Sequence, residues 1–183
     1  MSQKTIVMLG DSLTEFSTWD RVSPQANVKN QGRSGDTTHA VLFRLNQTVH
    51  AHPDLIFLQV GINDLSQGRL PQDVLETQKR IWRELENRVP QARLVVCSLV
   101  PINVSLFNWP SPLKNDRITE TNTLLAKEAK AANLDFVDLF SPMVSVSGSL
   151  PESLTEDGLH LTAPAYDIWV ETLQNYLKEN PFS

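Results

Sequence analysis

A single cysteine, Cys97, in a chain of 183 residues excludes an intramolecular disulfide and a cysteine-built zinc site. Its place in the apolar run Leu94-Val95-Val96-Cys97 marks it as a buried thiol and leaves the redox compartment open. Basic residues are scarce as well, with 16 Lys and Arg against 21 Asp and Glu, a formal net charge of -5 and no Lys/Arg run. That balance argues against nucleic acid or an anionic membrane surface as the main partner. No apolar run has the length of a membrane span, and Met1-Ser2-Gln3-Lys4 leads into an apolar stretch too short for a signal sequence. A cytoplasmic location without stable membrane insertion is the resulting expectation. No repeat, low-complexity stretch or linker interrupts residues 1–183, which are expected to form one domain.

Several catalytic and cofactor signatures are absent too. There is no G-x-G-x-x-G and no G-x-x-x-x-G-K-[ST], so a nucleotide-binding reading is poor. A G-x-S-x-G elbow is missing, which separates the chain from the α/β-hydrolase route to ester cleavage. No H-E-x-x-H appears, and His39, His50 and His52 read as scattered surface residues, so a metal hydrolase fares badly.

What is present is an alternation of short apolar runs with segments of helical periodicity. Thr5 to Leu9, Val28 to Asn30 (the weakest), Leu55 to Val60, Leu94 to Leu99 and Phe136 to Leu139 read as strands. After Pro71, the residues Val74, Leu75, Gln78, Ile81, Trp82, Leu85 and Val89 line one stripe of an amphipathic helix. The same spacing holds for Val41, Leu42, Leu45 and Val49, for Ile118, Leu125 and Ala129, and for Tyr166, Trp169, Val170, Leu173 and Leu177. Strands alternating with helices in this way imply right-handed crossovers and a parallel sheet covered on both faces. The fold expected is α/β, a three-layer α/β/α sandwich around a five-stranded parallel sheet.

In such a sheet ligands bind beyond the carboxyl ends of the strands, so the residues that follow each strand matter most. They are Gly10-Asp11-Ser12, Gly32-Arg33-Ser34-Gly35-Asp36, Gly61-Ile62-Asn63-Asp64, the apolar loop from Pro101 to Pro112, and, after a long loop, Asp157-Gly158-Leu159-His160. Together they are the parts needed for acyl transfer. A serine hydroxyl is a weak nucleophile until an imidazole accepts its proton. His160 is the candidate base, and Asp157 can hold its other ring nitrogen. The Asn63 amide and the backbone N–H groups of Ser12 and Gly35 are candidate donors to an oxyanion.

Taken singly each part has an ordinary explanation. Ser12-Leu13-Thr14-Glu15 spells the capping box S-x-x-E, so Ser12 reads equally well as a helix N-cap. Asn63-Asp64 and Asp157-Gly158 are common turn formers. The constellation at the strand ends is what favours chemistry.

Four blocks in order carry a family resemblance: Gly10-Asp11-Ser12-Leu13-Thr14, Gly35 in Asn30-x-Gly32-x-x-Gly35, Asn63 in Gly61-Ile62-Asn63-Asp64, and Asp157-x-x-His160. The chain resembles the GDSL/SGNH hydrolases, and within them the small bacterial esterases similar to lysophospholipase/thioesterase I and the catalytic subunits of platelet-activating-factor acetylhydrolase. The resemblance implies a flavodoxin-like sandwich and a catalytic triad of Ser12, Asp157 and His160. It implies an oxyanion hole of Ser12, Gly35 and Asn63, with no metal or organic cofactor. One departure is Ala165, where the family often has glycine before the aromatic.

The expected activity is that of a serine ester hydrolase on a small-molecule acyl ester or thioester, with a carbohydrate acetylesterase or a non-catalytic binding protein on the same fold as alternatives. Phe107 and Trp109 in the apolar loop, with Leu13, Leu65 and Met143 near the rim, are expected to bind short to medium acyl groups. Loop 101–112 has a second reading, equally weighted, as cover for the core or for a homo-oligomer interface.

Overall fold

The computed structural model describes residues 3–107 and 110–182. Five strands, β1 (Thr5–Gly10), β2 (Asn27–Gly32), β3 (Leu55–Gln59), β4 (Arg93–Cys97) and β5 (Asp135–Val137), form one parallel sheet in the order β2-β1-β3-β4-β5. The order reverses at β1, so the crevice of the sheet opens beside the strand that leads to Ser12. Register follows the pleat, with Ile6 opposite both Val28 and Leu55 and Gly10 opposite both Gly32 and Gln59.

The central strands are apolar on both faces because both faces are covered. Ile6, Met8, Phe57, Val95 and Cys97 pack against Leu13, Trp19, Tyr166, Trp169 and Leu173, placing α1 (Ser12–Glu15) and α7 (Ala163–Glu179) on one side. Val7, Leu9, Ile56, Leu58 and Val96 pack against Val41, Leu45, Leu75, Trp82 and Leu85. That second face is covered by α2 (Thr38–Phe43), α3 (Leu45–His50) and α5 (Pro71–Arg88), with Leu125 and Ala129 of α6 (Asn115–Ala131) joining at its edge. A short helix, α4 (Ile62–Ser66), follows β3. Cys97 is buried, and burial pushes its thiol pKa far up, as befits a core residue. Among the described residues no helix is long and apolar enough to cross a membrane.

Two elements differ from the sequence expectation. The single amphipathic helix expected around Val41 to Val49 is broken at Arg44, which ends α2 and precedes α3. Its guanidinium turns inward, donating from Nε to Asp36 Oδ2 at 2.5 Å and from Nη2 to the carbonyls of Gly10 and Gln31, each at 2.9 Å. A largely buried cation thus ties together the carboxyl ends of β1 and β2. β5 stops at Val137 because Asp138 turns back, its Oδ1 accepting the Phe140 and Ser141 N–H groups at 2.9 and 3.1 Å.

Candidate active site

The strand β1 ends in Gly10, and Asp11 begins α1 in an extended conformation with its Oδ1 accepting the Leu13 N–H at 3.0 Å. Asp11, not Ser12, is therefore the N-cap, and the capping-box expectation is corrected. Glu15 does not reach back to the cap either. Its carboxylate accepts the Ser34 backbone N–H at 2.6 Å and the Ser34 hydroxyl, which holds its pKa below the usual carboxylate range and ties α1 to the loop after β2. With Asp11 satisfying the helix end, the Ser12 side chain is left for other partners.

That partner is His160. Ser12 Oγ lies 3.2 Å from His160 Nε2, and His160 Nδ1 lies 2.6 Å from Asp157 Oδ2. A carboxylate has no proton to give, so Asp157 selects the tautomer with hydrogen on Nδ1 and leaves Nε2 as an acceptor for the serine hydroxyl. Partial burial would raise the Asp157 pKa, but the His160 ring and the N–H groups of Leu159 and His160, donating to Oδ1 at 2.9 and 2.7 Å, outweigh it and hold the carboxyl below its ordinary value. The turn that carries both groups is closed at its base by the antiparallel bridge Thr155–Leu161 and by Thr162 N–H donating to Leu154 O at 3.0 Å. A depression of about 310 Å³ lined by Glu156, Asp157, His160 and Leu161 opens beside it.

Gly158 sets the position of this turn. Its φ is +89°, and a Cβ there would stand 2.3 Å from Asn103 O and 2.7 Å from Phe107 Cδ1, while Gly158 O accepts the Asn103 N–H at 2.8 Å. The loop after β4 and the histidine turn meet at this residue. A Gly158→Ala variant is expected to lose about 2 kcal/mol of stability from the left-handed backbone and the clash with a main-chain oxygen. Urea denaturation measures it, and an unchanged midpoint would show that the two loops can part freely.

The oxyanion candidates come from the neighbouring strand ends. Asn63, in the first turn of α4, donates from Nδ2 to Asp36 O at 2.9 Å, so its amide is held against the residue next to Gly35 with one proton still to give. Gly35 is exposed, with φ +80°, and a Cβ at this position would meet nothing within 4 Å, so the space above it is open to a ligand. Asp64 braces the same loop, accepting the Thr38 N–H at 2.8 Å and the Thr38 hydroxyl at 2.7 Å. Ser12, Gly35 and Asn63 thus follow the adjacent strands β1, β2 and β3 and are joined through Arg44, Glu15 and Asn63 itself.

The expected acyl-pocket residues fare differently. Leu13, Leu65 and Met143 are fully buried in the core beneath the rim and offer no face to a ligand, because each fills the space between the sheet and its covering helices. Phe107 is half-buried, packed on the edge of that core and against Gly158. Trp109 lies outside the described residues. In loop 101–112, Ile102 is core and Val104 is exposed.

Three residues near the centre gave no sign in the sequence of a place at the site. Phe16 stands one turn after Ser12, its N–H donating to Ser12 O at 3.0 Å and its ring centroid 5.2 Å from that of His160. Tyr166 of α7 donates its hydroxyl to Leu13 O at 2.8 Å, supporting α1 from below, and Ala165 beside it is fully buried. Arg44 is the third. A serine, a base, an orienting carboxylate and amide donors at one rim are what transfer of an acyl group to a hydroxyl requires.

Comparison with known proteins gives the family. Residues 8–168 match the family model described as the GDSL-like Lipase/Acylhydrolase family. The chain is 31% identical over 170 residues to platelet-activating factor acetylhydrolase IB subunit alpha1 from Bos taurus, covering 88% of this chain and 69% of the relative. The fold is similar to the lipase/acylhydrolase from Enterococcus faecalis (TM-score 0.79, 24% identity, 97% of this chain and 96% of that one). It is equally similar to a GDSL-like lipase from Bacteroides thetaiotaomicron (TM-score 0.79, 23% identity, 96% and 88%). By sequence motif, sheet topology and family match, the chain belongs to the GDSL-like lipase/acylhydrolase family of hydrolases.

Proposed function

We propose that this protein is a serine ester hydrolase working through an acyl-serine intermediate on short-chain acyl esters. The observation that carries the reading is the continuous relay from Ser12 Oγ through the His160 ring to Asp157, with distances of 3.2 and 2.6 Å. Ser12 Oγ attacks the ester carbonyl while His160 Nε2 takes its proton. The oxyanion is received by the Ser12 and Gly35 N–H groups and by the free proton of the Asn63 amide. His160 then hands the proton to the leaving alkoxide, and water, deprotonated by the same ring, releases the acid. Each oxyanion donor contributes roughly 2.7–4 kcal/mol to the barrier reduction in comparable enzymes.

The short-chain assignment rests on the burial of Leu13, Leu65 and Met143, which withdraws three apolar side chains from the lining of an acyl slot among the described residues. The acetylhydrolase named among its relatives is in keeping with that.

An aryl or alkyl fluorophosphonate is expected to add to Ser12, seen by intact mass and peptide mapping, and to abolish hydrolysis of p-nitrophenyl acetate. EDTA is expected to leave the rate unchanged. Activity that survives complete labelling, or a label on another residue, sinks the serine reading; loss on EDTA treatment would point to metal chemistry instead.

A further inference from the structure

Phe16 is an aromatic side chain that remains 57% exposed while its ring packs on the His160 imidazole, centroids 5.2 Å apart and planes tilted by 41°. It is placed there by α1: the Phe16 N–H donates to Ser12 O at 3.0 Å, so the nucleophile and the phenyl ring are one helical turn apart on the same face. The ring meets the imidazole while more than half of the residue's surface stays open to solvent beside it. What sets this exposed ring apart from an ordinary surface aromatic is its contact with the His160 imidazole, which places it where a bound ester would meet it.

Which part of the substrate follows from the proton's route. His160 Nε2 takes the proton from Ser12 Oγ and must return it to the leaving oxygen, which therefore has to come within hydrogen-bond reach of Nε2. The carbonyl oxygen, by contrast, would point toward Gly35 in the loop after β2 and Asn63 in α4 after β3. A ring in contact with the imidazole thus borders the alcohol portion of the ester. We propose that Phe16 forms the alcohol-side wall of the site, so that the enzyme favours esters of apolar or aromatic alcohols. This rests on the serine mechanism above.

The test compares 1-naphthyl butyrate with ethyl butyrate. Phe16→Ala is expected to lower kcat/KM for the naphthyl ester by about tenfold relative to the parent enzyme and that for the ethyl ester by less than about twofold. Intrinsic ester reactivity cancels in each ratio. Deacylation after a burst of p-nitrophenyl butyrate uses Ser12 and His160 but no alcohol, and is expected to stay within about twofold of the parent. Phe16→Leu, which keeps apolar bulk at the same position, is expected to shift selectivity in the same direction by less. Equal losses on both alcohols together with slower deacylation would mean that Phe16 only steadies His160 and would overturn the proposal. So would a loss that varies with acyl length among p-nitrophenyl acetate, butyrate and octanoate. Fluorophosphonate labelling of Ser12 in the parent and in both variants separates the two ideas: a labelled serine with unaltered alcohol selectivity defeats the wall alone, and an unlabelled parent defeats the mechanism beneath it.

Discussion

Replacing Ser12 with alanine is expected to lower kcat on p-nitrophenyl acetate by about ten-thousand- to a million-fold while leaving the melting curve in place. The fold survives because Asp11, and not Ser12, caps α1, and because alanine suits the first turn of a helix and fits a site where the serine is 5% exposed. The side-chain bond lost is the one to His160. His160→Ala is expected to cost about as much, since an alcohol without a base is a poor nucleophile. Asp157→Ala is expected to cost roughly ten- to a hundredfold less than His160→Ala, because it removes orientation and charge stabilisation but leaves the base. A fully active Ser12→Ala enzyme would end the assignment, and an Asp157→Ala loss as large as that of His160→Ala would contradict the division of roles.

The sequence made the frame of this site readable and its fine positioning unreadable, for physical reasons. Strands β1, β3 and β4 announce themselves because a parallel sheet covered on both faces demands unbroken apolar runs. β2 is faint because it is an edge strand with a polar run, Asn30 exposed, Lys29 half-buried and Gln31 turned inward to accept the Thr48 hydroxyl. The capping box misled because serine and aspartate cap equally well, and which of two neighbours does so depends on where β1 releases the chain. The break at Arg44 could not be seen in an amphipathic stripe: it is driven by carbonyls of β1 and β2 that lie 34 and 13 residues away in the chain. Leu13, Leu65 and Met143 lie in segments that follow strands, yet period alone does not say whether an apolar side chain there points up into a pocket or, as these do, into the core. Phe16 was silent for the same reason, its meaning lying in a ring 144 residues distant.

Asp11→Asn is expected to stabilise the protein in alkaline solution and to do so progressively less as the solution is acidified. Asp11 is fully buried, and burial, with Asp64 and Asp36 nearby adding like charge, raises its pKa from 3.8 to about 7. Its Oδ1 accepts the Leu13 N–H, but Oδ2 has no hydrogen-bond partner among the described residues. Asp36 is compensated by Arg44, and Asp64 by Thr38 with Arg69 at 3.9 Å, whereas Asp11 faces them with no ion pair among the described residues. Between pH 3.8 and about 7 the folded protein keeps a proton on Asp11 that the unfolded chain has released. The folded state then binds more protons, so stability attributable to this group falls as pH rises through that window and the cost is complete above it. The shift sets a ceiling of about 4 kcal/mol, reduced in practice by relaxation around the site. Asparagine retains an oxygen for the Leu13 N–H and has nothing to ionise, so Ser12 stays where α1 holds it. Urea denaturation of both proteins at about pH 8 and about pH 4 measures the effect, with the variant more stable at the first and nearly level at the second. A difference that is the same at both, or that favours the parent at about pH 8, would show that the carboxylate is ionised and well solvated in the folded protein.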